Sequence, residues 1–201
     1  VVETLNRGVD VPLSNSFLTK NALSHSLKEL MEHTSLNKIT VKQLVDHCGV
    51  NRQTFYYHFQ DIFDLLGWIY KTEAVESIAK YRSYSTWTDG FYKIFCYIER
   101  NKTFCCNTLN SLGRNHLDSY LYEVTNDLIM GVINELSAGI EVSDEDKHFT
   151  ANFYTLAFTG LVIQWMRDGT KEPPNHIIEK LSVLIEGNFL KALHKYENKP
   201  L

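Results

Sequence analysis

Residues 40–59, TVKQLVDHCGVNRQTFYYHF, leave this chain little choice of local fold. Thr40 followed three positions later by Gln43 has the spacing of a capping box, in which two side chains satisfy each other's orphan N–H groups at a helix start. Val41, Leu44 and Val45 recur at helical spacing and give that helix an apolar face. Gly49 takes positive φ at little cost, so it ends the helix in a sharp turn. Val50 then plugs the core, and Asn51 caps a second short helix. Phe55 and Phe59, at i and i+4, put two rings on the inner side of that helix. Leu44, Gly49, Val50, Phe55 and Phe59 are therefore the expected core of a helix-turn-helix.

The same helix leaves Arg52, Gln53, Thr54, Tyr56, Tyr57 and His58 facing outward, with no Asp or Glu among them. Arginine pairs bidentately with guanine, glutamine pairs with adenine, and a threonine methyl meets the thymine methyl. Tyrosine and histidine reach phosphates or base edges. The plainer alternative is an exposed helix of any helical bundle, packed by Phe55 and Phe59 alone. An aromatic and amide-rich face free of acids favours a DNA groove over water.

Helical patterning continues on both sides. Residues 1–14 lack apolar periodicity, carry Gly8 and Pro12, and read as a flexible N-terminal arm. Leu23, Leu27, Leu30 and Met31 mark an amphipathic helix from about 16 that ends near 34–37. Asp61 is placed to cap a helix with the stripe Ile62, Leu65, Leu66 and Ile69, running toward 83–85. Further helices are expected near 88–100, 103–112, 116–138, 144–168 and 174–196. Leu117, Leu121, Val124, Leu128 and Val132 share one face of the run at 116–138. Ser143 with Asp146 caps the next helix, Gly169 closes it, and Pro173-Pro174 opens the last. No strand pattern or internal repeat competes, and the expected fold class is all-α.

Ile39-Thr40-Val41, Leu44 and the run from Gly49 to Phe59 resemble the signature of the TetR family. That resemblance implies a three-helix, homeodomain-like head at 15–60 and a helical ligand-binding and dimerisation body at 61–201, about nine helices in all. It implies a homodimer on a palindromic double-stranded DNA operator. Carried over, Thr54, Tyr56, Tyr57 and His58 are operator contacts, and Arg52 and Gln53 are candidates for specificity. Thr19, Lys20, Thr40 and Lys42 are candidates for phosphate contacts. Family members commonly place Ser and then Lys after the final aromatic; this chain has Asp61 and Ile62, which puts one phosphate anchor in doubt. In the family the equivalents of the last two long helices build a four-helix dimer interface, so the resemblance implies roles there for Phe153, Ala157, Gly160, Leu181, Ile185 and Phe189. Taken singly, each of these fits the chain's own core as well.

FYTLAFTGLVIQW followed by MRDGTKEPP is similar to a TetR subgroup that activates dihydroxyacetone kinase operons. That implies a kinase-like co-activator protein that binds the ligand, with the body as a docking surface. The alternative is a repressor released by a small effector held between about 91 and 165. Phe91, Tyr92, Phe95, Tyr97, Phe104, Tyr120 and Tyr154 suit either a pocket there or a core. A third reading, from another class, is a helical adaptor without specific DNA binding.

Net charge of −4 does not oppose a DNA-binding role, because its distribution matters more than its sum. Residues 1–60 hold six Lys/Arg against five Asp/Glu, while 61–201 hold 14 against 19. Modest non-specific affinity follows. Cys48, Cys96, Cys105 and Cys106 show no metal-ligand spacing and are expected as small buried hydrophobes. No cofactor, metal or membrane span is expected, and the absence of a signal pattern points to a cytoplasmic location. His116 with Asp118, and His148 near Asp144 and Asp146, are the nearest approach to catalytic groupings. No nucleophile or catalytic motif surrounds them, so the chain is not read as an enzyme.

Overall fold

The apolar stripes close on one another as helices in a computed structural model that describes residues 15–78, 81–185 and 187–197. The arm read at 1–14 lies outside the described residues. The head is α1 (Asn15–His33), a 3-10 turn (Leu36–Lys38), α2 (Val41–Cys48) and α3 (Arg52–His58). α4 (Ile62–Ile78) leads into the body, which adds α5 (Trp87–Arg100), α6 (Lys102–Leu109), α7 (Arg114–Leu136), α8 (Asp144–Arg167), α9 (Pro174–Ile185) and α10 (Asn188–Glu197). The fold is all-α, with no strand among the described residues.

α7 is the axis of the body and packs against α4, α5, α6, α8 and α10. Its expected stripe, Leu117, Leu121, Val124, Leu128 and Val132, is buried throughout. Head and body share one continuous core, from Leu23 and Phe55 to Phe158 and Leu193. The last expected helix, 174–196, is corrected to two. Gly187 takes φ +69°, and Asn188 donates its side-chain amide to the Leu184 carbonyl, ending α9 before α10 begins. The break turns Phe189 onto Tyr154 of α8, with ring centroids 4.5 Å apart.

The loop before α5 is pinned to α7. Tyr84 N–H donates to Glu135 (2.7 Å), and Arg82 pairs with Asp127 (2.6 Å). A methyl group on Gly131 would lie 2.3 Å from the Arg82 carbonyl oxygen, so only glycine lets the loop come this close. Gly131→Ala is expected to cost about 1–3 kcal/mol by overpacking. Thermal denaturation checks this; an unchanged midpoint would show that the loop moves aside freely.

The body's aromatics form two layers. Phe91 meets Phe158 and Phe95 meets Trp165, each pair at 4.8 Å. Beside them Tyr70 lies on Tyr120 at 5.1 Å and on Phe104 at 5.1 Å. Of the residues open to either reading, Phe91, Phe95, Phe104 and Tyr120 are buried core, and Tyr92, Tyr97 and Tyr154 are half-buried.

Burial pushes the Tyr70, Tyr97 and Tyr120 phenols well above their ordinary range and the Cys105 thiol up to about 12. The folded chain therefore keeps protons that the unfolded chain releases from about pH 8.5 for cysteine and about pH 10 for tyrosine. Stability from these groups is complete below pH 8.5 and falls as pH rises. Melts at pH 7–11 should show a flat midpoint and then a drop of roughly 5 °C or more. A midpoint constant to pH 11 would contradict the buried, protonated cluster.

Candidate nucleic-acid interface

The helix-turn-helix is assembled by local chemistry. Thr40 N–H donates to Gln43 Oε1 (2.9 Å), and Gln43 N–H donates to Thr40 Oγ1 (3.2 Å), completing the capping box. Gly49 has φ +73° and ends α2. Asn51 Oδ1 accepts the Thr54 N–H (2.8 Å) and the Thr54 hydroxyl (3.0 Å), which starts α3. Leu44 and Phe55 are fully buried, Phe59 is nearly so, and Val50 packs against the same core at its edge. Gly49 supplies the turn rather than packed surface.

The outer face of α3 stands clear of the head. Tyr57 is 83% exposed and Tyr56 51% exposed, an uncommon setting for two large rings unless a partner covers them. Arg52 and Gln53 are exposed, and Thr54 and His58 are half-buried. Arg52 lies along Tyr56, its guanidinium carbon 5.9 Å from the ring centroid. His58 meets Tyr57 edge-on at 4.9 Å. This ordering presents a cation, an amide and two phenols on one seven-residue helix with no acid on it.

The expected phosphate contacts occupy different settings. Lys42 is exposed at the start of α2. The Thr40 hydroxyl is engaged in its own cap, and the Thr19 hydroxyl donates to the Asn15 carbonyl (2.9 Å). Lys20 sits over Phe59 (5.5 Å) and Trp68 (5.8 Å), a cation held against aromatic faces where α1, α3 and α4 meet. The sequence reading missed Trp68, which also touches Phe17 and Phe59, because it is half-buried and lies off the stripe of Ile62, Leu65, Leu66 and Ile69. Asp61 and Ile62 have a structural account: Asp61 Oδ1 accepts the Asp64 N–H (2.8 Å) at the start of α4, and Ile62 is buried. The position is given to capping and packing.

The residues expected at the dimer interface fall into two groups. Phe153, Ala157 and Gly160 lie on the exposed side of α8, and a Cβ on Gly160 would meet open space. Leu181, Ile185 and Phe189 are buried within the chain's own core, which corrects the expectation that they face a second copy. The outward apolar residues of α9 are Val183 and Leu184 instead. The acid-histidine groupings have ordinary roles: His116 stacks on Phe63 (6.4 Å), Asp118 pairs with Arg114 (3.2 Å), and Asp146 accepts from Ser143 (2.7 Å) in a cap. Among the described residues no cluster of His, Cys, Asp and Glu is arranged to hold a metal ion, and no helix is long and apolar enough to cross a membrane.

Residues 25–67 match the model of bacterial regulatory proteins of the tetR family, and 85–187, just over half the chain, match that of a TetR-type transcriptional regulator C-terminal region. With the fold and the α3 face, this places the chain in the TetR family of DNA-binding transcriptional regulators, which are not catalysts. Among curated proteins, it is 27% identical over 92 residues to the HTH-type dhaKLM operon transcriptional activator DhaS of Lactococcus lactis subsp. lactis. That stretch is 46% of this chain and 49% of the relative, so the match spans about half the length of that protein. The solved structure of the dihydroxyacetone kinase operon activator DhaS superposes with a TM-score of 0.65 at 21% identity, covering 90% of this chain and 99% of that one. NalD, the secondary repressor of the MexAB-OprM multidrug efflux pump in Pseudomonas aeruginosa, gives 0.63 at 14% identity, covering 89% and 98%. At these identities the structural likenesses concern the fold alone.

Proposed function

We propose that the chain acts as a homodimer on a palindromic operator and activates a dihydroxyacetone kinase operon together with a kinase-like co-activator protein. The observation that carries the DNA-reading step is the outer face of α3, where Tyr56 and Tyr57 are left exposed beside Arg52 and Gln53. Thr54 and His58 complete that reading face, while Lys20 and Lys42 are the head cations closest in role to phosphate grips. Thr19 and Thr40 contribute through their backbone and caps at the starts of their helices.

Dimerisation is supported by an apolar strip along α8: Phe149, Phe153, Leu156 and Leu161 are exposed, with Ala157 and Gly160 between them. Val183 and Leu184 extend it on α9. Two copies would cover this surface, and the small residues would let the helices approach closely. The activator role is supported by the relative in Lactococcus lactis, a transcriptional activator of the dhaKLM operon. A co-activator that senses the ligand also fits a body whose aromatic residues are largely committed to core; the cleft between α7 and α8, about 490 Å³ and lined by Tyr122, Leu156, Gly160 and Ile163, opens on the same exposed side of α8 that two copies would cover.

Fluorescence anisotropy with the promoter DNA of a dihydroxyacetone kinase operon tests DNA recognition, and co-purification with the operon's kinase-like subunit tests the partner. Binding no tighter than to random duplex at low salt would sink the regulator reading of this operon. Specific DNA binding with no retained partner would leave a repressor of the effector-released kind.

A further inference from the structure

At the joint between head and body, one side chain from α6 reaches the end of α1. Asn107 accepts the Leu36 N–H at Oδ1 (2.9 Å) and donates from Nδ2 to the carbonyls of Met31 (3.0 Å) and Thr34 (2.8 Å). Its amide oxygen and amide nitrogen are thus both spent on backbone groups around the end of α1, where helical partners run out. The same corner is held twice more. Asn37 Oδ1 accepts the Leu112 N–H (2.9 Å), and a methyl on Gly113 would come within 2.7 Å of Leu66 and 3.1 Å of Leu36. At the other end of α6, Lys28 of α1 pairs with Glu73 of α4 and donates to Asn101 (3.0 Å).

We infer that Asn107 is a positioning residue for operator binding. By locking the end of α1 to α6, it fixes the angle at which each head leaves the body. That angle sets the distance between the two recognition helices of the homodimer, so the inference rests on the homodimeric reading above. Leverage makes the angle matter. α1 has 19 residues. At about 1.5 Å per residue, a tilt of about 10° at its end moves the far tip by about 5 Å, more than the roughly 3.4 Å between successive base pairs. A loosened joint therefore blurs the spacing of the two half-sites without altering the reading face of either.

The test uses the full chain and duplexes carrying the half-site that the wild type selects from a randomised DNA pool. Inverted repeats are spaced in single base-pair steps around the selected spacing, a lone half-site serves as control, and affinity is read by fluorescence anisotropy. Asn107→Asp removes both donors and sets a carboxylate against two carbonyls; Asn107→Ser is the milder variant if thermal melts show the first unfolded. The wild type should lose about tenfold or more when the spacing shifts by two base pairs. Both folded variants should flatten that profile to within about threefold while holding the lone half-site within about twofold of wild type. Variants that keep the wild-type profile, or lose half-site and full-site affinity in equal proportion, overturn the positioning role alone. A wild type that sediments as a monomer, or selects no inverted repeat, overturns the homodimeric reading and this inference with it.

Discussion

Replacing Phe55 with alanine is expected to unfold the head and abolish specific DNA binding. The ring is fully buried, 6.0 Å from Phe59 and 5.4 Å from Tyr56, and joins α3 to the core of α1 and α2. Deleting a buried ring costs about 3–5 kcal/mol, against a total stability of roughly 5–15 kcal/mol for a domain. α2 and α3 have eight and seven residues, too short to persist without tertiary packing. The loss should therefore fall on the helix-turn-helix first. Hydrogen exchange over 40–59, with circular dichroism melts, measures it. Native protection of those amides in the variant would mean that Phe55 does not anchor α3.

Tyr56→Ala and His58→Ala should each weaken specific binding by about 1–3 kcal/mol per half-site while leaving the fold intact. Tyr57→Ala belongs with them, since its ring is the most exposed of the face. Titrations at several salt concentrations separate these residues from the phosphate grips. A base-reading residue lowers affinity for the selected site with little change in salt slope, whereas Lys42→Ala should reduce the slope by about one and act on all sequences alike. Wild-type affinity in both Tyr56→Ala and His58→Ala would move the reading face elsewhere on the head.

The residues of the helix-turn-helix were legible because the caps and the turn that shape it are local. The Thr40–Gln43 box, the Gly49 turn and the Asn51 cap each join residues no more than four positions apart. Periodicity likewise exposed the buried face of α7. It misled at 174–196, where Ile178, Leu181, Ile185 and Phe189 keep a continuous apolar rhythm through the break at Gly187. It also misassigned Leu181, Ile185 and Phe189, because an apolar stripe records that a face is covered and not by what.

What the sequence determined by itself, then, is the all-α class, the head's turn chemistry and the outward set from Arg52 to His58. The tertiary structure decided which apolar faces the chain covers with its own helices and which it leaves bare on α8 and α9. It also decided how the head is fastened. Asn107 meets Met31, Thr34 and Leu36 across 71 to 76 residues of chain, a contact that leaves no periodic trace. Local hydrogen bonds are written in neighbouring letters, whereas packing and long-range capping depend on where distant helices come to rest.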